Sequence, residues 1–163
     1  DGQTRREVHL GTGNYHDGTA RLYTDFGLLT ADPTLTSDAV AFFRGLESGG
    51  AEALEELVTA PDQLAPTLLD LIERECWHAL AGRGARIVAK MNSLSDKAII
   101  RALLNAGRAG VEIDLIVRGI CCVIPEIEGV SDNIHVRSIV GRNLEHARAF
   151  VFENGGQREV YLS

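Results

Sequence analysis

From residue 65 onward the sequence alternates between helical and extended patterns, and this alternation limits the fold more than any other feature. Residues 65–81 carry Leu68, Leu69, Ile72, Cys76 and Leu80 at helical spacing, which predicts a helix stopped by Gly82. Residues 86–91 are β-rich and apolar. Ser95-Asp96 opens a second helix with Ile99, Ile100, Leu103 and Leu104 inward. Residues 111–117 read as a buried strand, and residues 134–140 alternate as a strand does. Residues 149–152 and 159–162, joined by Asn154-Gly155-Gly156, read as a hairpin. Helix, strand, helix, strand, strand and hairpin in that order predict an α/β layer with a central sheet.

The first part of the chain is less regular. Residues 7–10 read as the end of a strand running into a glycine turn, Gly11-Thr12-Gly13-Asn14. Residues 19–30 show no clear period. Ala31-Asp32-Pro33 breaks the chain, and Thr36-Ser37-Asp38 can cap a helix over residues 39–46. Ser48-Gly49-Gly50 ends it and marks the expected boundary or hinge. Residues 51–58 read as a short acidic helix with a solvated face at Glu52, Glu55 and Glu56. Asp1-Gly2-Gln3 resembles a hairpin turn cut from its first strand, and the chain ends inside a strand pattern, so truncation is expected at both ends.

A formal net charge of -7 argues against broad binding to nucleic acid or to an anionic membrane, yet allows a local basic pocket. The apolar runs are too short to span a bilayer, and no signal-peptide pattern opens the chain. Three cysteines, Cys76 and the adjacent Cys121 and Cys122, fit buried thiols in a reducing compartment, so the expected location is cytoplasmic. Five scattered histidines and no Cys-x-x-Cys leave no metal-site spacing. His16, His78 and His135 read as structural or solvent-facing, and Trp77 as core or helix packing.

Three places carry residues suited to phosphate. Gly11 to Asn14 lets backbone approach an anion, with Thr12 and Asn14 as donors, although a plain turn needs the same residues. Arg118 ends a strand, where ligands of α/β sheets bind, and its planar fork suits phosphate; a surface salt bridge is the alternative. His146 and Arg148 are two apart and would share a strand face, with Arg137 and Arg142 nearby in sequence. His146 can also move a proton near neutral pH, although a structural histidine fits the same pattern.

Several ordered blocks resemble polyphosphate kinase of the long, histidine-phosphorylated bacterial type. They are residues 9–15, 19–25 and 28–32, then Ala89-Lys90-Met91-Asn92-Ser93-Leu94, then residues 114–122, 138–142, 144–146, 153–156 and 160–163. The resemblance implies a phospholipase-D-like layered fold with a central mixed sheet flanked by helices. It implies the tail of a first catalytic domain at residues 1–48 and most of a second, cut at its C-terminal end, at residues 49–163. The family reaction is reversible transfer of the ATP γ-phosphate to polyphosphate through a phosphohistidine, which would lie upstream of this chain. By position, Tyr23 would contact the nucleotide, Arg118 and His146 its phosphates, and His146 would act catalytically. Gly11, Thr12, Gly13, Asn14 and Arg148 would support the phosphate site. The resemblance further implies ATP or ADP and polyphosphate as ligands, magnesium held by upstream residues, a homo-oligomeric full-length protein, and no kinase activity for this chain alone. Asp17-Gly18 departs from the family pattern, removing a positive charge near the site. The rival readings are a phospholipase-D-type phosphodiesterase, a non-catalytic polyanion-binding domain and a purely structural α/β domain.

Overall fold

The computed structural model describes residues 5–50 and 52–163. Its elements are β1 (Val8–Gly11), α1 (Asp17–Ala20), β2 (Tyr23–Thr24), β3 (Gly27–Thr30), α2 (Pro33–Ser48), α3 (Leu64–Leu80), β4 (Arg86–Met91), α4 (Lys97–Arg108), β5 (Glu112–Val117), β6 (Ile134–Arg137), β7 (Leu144–Glu145), β8 (Ala149–Phe152) and β9 (Glu159–Leu162). A single 3₁₀ turn, Asn154–Gly156, joins the last two strands.

Five strands form the main sheet in the order β6-β5-β4-β8-β9. β6, β5 and β4 run parallel, whereas β8 and β9 are antiparallel, so the sheet is mixed as expected. Register puts Ile87, Ile113, Ile134 and Phe152 side by side on one face. All four are at most 1% exposed, and they pack with Leu71 and Ile72 of α3 and Leu103 and Ala106 of α4. Both helices therefore cover the same side. The other face carries Val88 and Ile116 together with the Arg86–Asp114 ion pair, so apolar and charged residues mix there.

Helix ends follow their sequence signals with one shift. Asp96 caps α4 by accepting from Ala98 N and Ile99 N. For α2 the cap is Asp32, with Pro33 in the first turn, so the helix starts six residues before the expected position 39. Asp38 lies inside that helix, buried, and does different work. Its carboxylate accepts from the backbone N–H groups of Glu55, Glu56 and Leu57. Those bonds hold the Asp38 carboxyl below the usual carboxylate range, the Glu55 bond first, against the opposing cost of burial. They also correct the helix expected over residues 51–58, because residues 52–58 are irregular. Three successive N–H groups turned toward one carboxylate are not free to form helical bonds.

Other expectations shift along α3. Leu80 and Trp77 are 73% and 65% exposed, while Glu75 is fully buried. Glu75 stays inside because its carboxylate accepts from Arg86 N and Asn154 N, tying the helix to the start of β4 and to the hairpin turn. The histidines read as structural or solvent-facing have partners: His16 caps α1, His78 Nε2 meets Asn154 Oδ1 at 3.1 Å, and His135 faces Glu126. Cys122 is exposed rather than buried, and Cys76 and Cys121 are half-buried. The turn expected at residues 1–3 lies outside the described residues.

Candidate functional site

The carboxyl ends of β4 and β5 lie side by side, since Met91 pairs with Val117. The next residue on each strand is polar: Asn92 and Arg118. Arg118 donates from Nε to Asn92 Oδ1 at 3.0 Å, and Nη2 donates to the same oxygen. Its third nitrogen, Nη1, is buried without a hydrogen-bond partner among the described residues. A buried guanidinium donor left open costs stability unless an acceptor reaches it.

His146 arrives at the same end of the sheet by another route. Lys90 on β4 pairs with Ala149 on β8, so the residues just before β8 lie beside the end of β4. Residues 146–148 form no regular strand of their own. His146 Nδ1 lies 3.3 Å from the carbonyl oxygen of Thr12. A carbonyl only accepts, so Nδ1 carries the proton and Nε2 is left as the second working nitrogen. The Asp25 carboxylate lies 4.0 Å from Nδ1. The Tyr23 ring stacks on the imidazole with centroids 4.6 Å apart and planes 11° from parallel. One tyrosine face is therefore taken by His146.

The N-terminal elements make this contact through a short parallel pair. β2 lies beside β7, with Tyr23 opposite Leu144 and Thr24 opposite Glu145. The Thr24 hydroxyl donates to Leu144 O at 3.4 Å. The Thr24 hydroxyl and then the Lys90 ammonium hold the Glu145 carboxyl below its usual range, despite partial burial.

The glycine turn serves the same junction. Thr12 Oγ1 donates to Asp25 Oδ1 at 3.2 Å and accepts from Phe26 N at 2.9 Å. A methyl group at Gly13 would overlap the Asp25 carboxylate. The turn therefore seats Asp25, and the Thr12 hydroxyl is engaged with protein. Arg148 donates from Nη1 to His146 O at 3.3 Å, while its backbone pairs with Ser163. Arg137 instead lines a shallow recess of about 230 Å³ on the open sheet face with Arg86 and Asp114.

The structure thus gathers Tyr23, Thr12, Gly13, His146 and Arg148 at one junction, with Arg118 on the neighbouring strand ends. Sequence reasoning missed Asp25, Lys90, Asn92 and Glu145 as parts of it. All four stand in the resembling blocks, residues 19–25, 89–94 and 144–146, so the signal was present; what each one touches follows only from contacts distant in sequence. Among the described residues no group of three or more His, Cys, Asp or Glu side chains is arranged to hold a metal ion. None of the described helices is long and apolar enough to cross a membrane.

Comparison with known proteins gives this arrangement its relatives. Residues 57–163 match the model of polyphosphate kinase C-terminal domain 2, and residues 1–52 match that of polyphosphate kinase C-terminal domain 1. The polyphosphate kinase of Pseudomonas aeruginosa is 54% identical over all of this chain, which corresponds to 24% of that protein. That of Neisseria meningitidis serogroup B is 51% identical, again over 100% of this chain and 24% of the relative. The crystal structure of polyphosphate kinase from Porphyromonas gingivalis superposes with a TM-score of 0.88 at 40% identity, covering 100% of this chain and 27% of that one. The chain spans about a quarter of the length of the curated relatives it matches. With both parts of the chain matched in order, and the fold matched throughout, the chain belongs to the polyphosphate kinase family.

Proposed function

We propose that this chain forms part of a phosphoryl-transfer site that moves the γ-phosphate of ATP reversibly to polyphosphate, through a phosphohistidine contributed by sequence upstream. The observation that carries this reading is the pairing of a buried, unpartnered Arg118 Nη1 with a tautomer-fixed His146 at the same end of the sheet. Phosphoryl transfer asks a protein for placed positive charge and proton donors more than for covalent chemistry. Arg118, braced by Asn92, would offer Nη1 to a phosphate oxygen. His146, with Nδ1 on Thr12, would present Nε2 to the moving phosphoryl group, hydrogen-bonding or protonating an oxygen. Tyr23, stacked on His146, would contact the nucleotide, and Arg148 would add positive charge beside His146.

Magnesium is expected to be held by upstream residues. Residues 1–48 would complete one catalytic unit and residues 49–163 would build most of the next, within a homo-oligomeric cytoplasmic protein. On this reading the chain alone has no kinase activity.

The test is transfer of label from γ-labelled ATP to polyphosphate, using the chain alone and mixed with a chain carrying the upstream part. Label incorporated only in the mixture, and reduced at least 100-fold by His146→Ala or Arg118→Ala, is the expected result, on the order of the effect of removing one placed donor. Polyphosphate made by the chain alone would remove the upstream nucleophile from the scheme. Saturable polyphosphate binding without transfer in an associating mixture would favour a polyanion-binding domain instead.

A further inference from the structure

His146 sits in a stretch with no ladder of its own, yet both of its neighbours are gripped from the central strand. Lys90 Nζ donates to Ala147 O at 2.9 Å and pairs with Glu145 Oε2 at 3.1 Å. The two side chains are only 18% and 25% exposed, so the pair is largely withdrawn from water. Charge pairs in such a setting hold only with good geometry and further hydrogen bonds, and Ala147 O supplies one of these. Glu145 belongs to β7, whose partner β2 carries Tyr23, the ring stacked on the imidazole. A shift at residue 145 therefore moves both the histidine and its stacking partner.

We infer that Lys90 is a positioning residue for His146, gripping the residues on either side of it and fixing the imidazole between Tyr23 and Thr12. Two of the three N–H groups of its ammonium are engaged by the residues flanking His146, so its placement serves the imidazole. Another cation on the same strand shows the contrast. Arg86 pairs with Asp114 at 2.6 Å, but its side chain is 55% exposed and its ion-pair partner lies on β5, away from residues 145–147 in the chain. The inference rests on the functional reading only for what His146 does; the placement itself is a property of the ligand-free chain.

The experiment is heteronuclear NMR of the ligand-free chain, following the His146 ring protons and their Overhauser contacts to Tyr23. The wild-type chain should show those contacts and an upfield displacement from the tyrosine ring. Lys90→Ala should abolish both, with the core signals of Ile113 and Phe152 kept. Lys90→Arg should restore them, and Arg86→Ala should leave them unchanged. Glu145→Gln, which weakens one arm of the grip, should reduce them, and it carries the test should Lys90→Ala fail to fold. Undiminished contacts in a folded Lys90→Ala chain, or in Glu145→Gln, would overturn the inference, as would their absence from the wild type. A parallel ATP titration separates the two ideas: no nucleotide binding by any form, with His146 still displaced by Lys90→Ala, would sink the functional reading and leave the positioning role standing.

Discussion

The two halves of the chain are held by different forces. Every buried apolar side chain of the main core lies between Leu71 and Phe152. In residues 5–50 the buried positions are Thr36, Asp38 and Gly45, and Phe26, Leu29, Phe43 and Leu46 are more than half exposed. The sheet region is stabilised by burial, which is non-directional and roughly proportional to area. The N-terminal region is attached by polar bonds of defined geometry: the Asp38 carboxylate on residues 55–57, Thr12 with Asp25 and His146, and β2 beside β7. A core tolerates change of similar volume, whereas a polar clasp fails when one atom type changes.

Four measurements would break or sharpen this contrast. The largest effect is expected from Phe152→Ala, about 3–5 kcal/mol lost by denaturant unfolding, because a large aromatic leaves a cavity between sheet and helices. A loss below about 1 kcal/mol would mean that the sheet region is not held mainly by its core. Next comes Asp38→Ala, for which roughly 2 kcal/mol is expected from N–H groups left without their acceptor. Its signature should be local: amide exchange accelerates at residues 55–57 while β4 and β5 keep their protection. Uniform acceleration would show that the two regions unfold as one.

The third measurement is acid stability. Asp38, Glu145 and Glu159 all have folded pKa values below their unfolded ones. Their contribution is therefore present above the unfolded values and is lost as pH falls through the folded ones. Stability should hold from neutral pH and drop below about pH 4, with the Asp38 clasp and the Glu145 junction loosening in that window. A chain whose stability rose on acidification through that window would contradict the sign. The smallest effect is expected at Trp77→Ser, within about 0.5 kcal/mol, since the indole is 65% exposed. A larger loss would show that α3 buries that ring against something.

The strongly periodic parts of the fold were legible in advance. α3, β4, α4, β5 and the terminal hairpin fall where spacing put them, because each satisfies its backbone locally or presents one apolar face to a shared core. The shorter elements were not. β2 and β7 are two residues each and exist only because they pair with one another across 120 residues. The expected helix at residues 51–58 is absent over 52–58 because Asp38, seventeen residues back, takes the N–H groups it would need.

The candidate site divides along the same line. Sequence alone determined which residue types were available: a strand-end arginine, a histidine near an arginine, a tyrosine and a glycine turn, in the order the family resemblance requires. Only the tertiary structure decided which of them meet. It stacked Tyr23 on His146, set Thr12 and Asp25 on the imidazole, turned the Gly13 cradle toward a carboxylate, and left Arg118 Nη1 open. The physical reason is range. Periodicity and capping are written within one or two turns of chain, whereas hydrogen bonds and ion pairs act over a few ångströms between groups that only the folded path brings together.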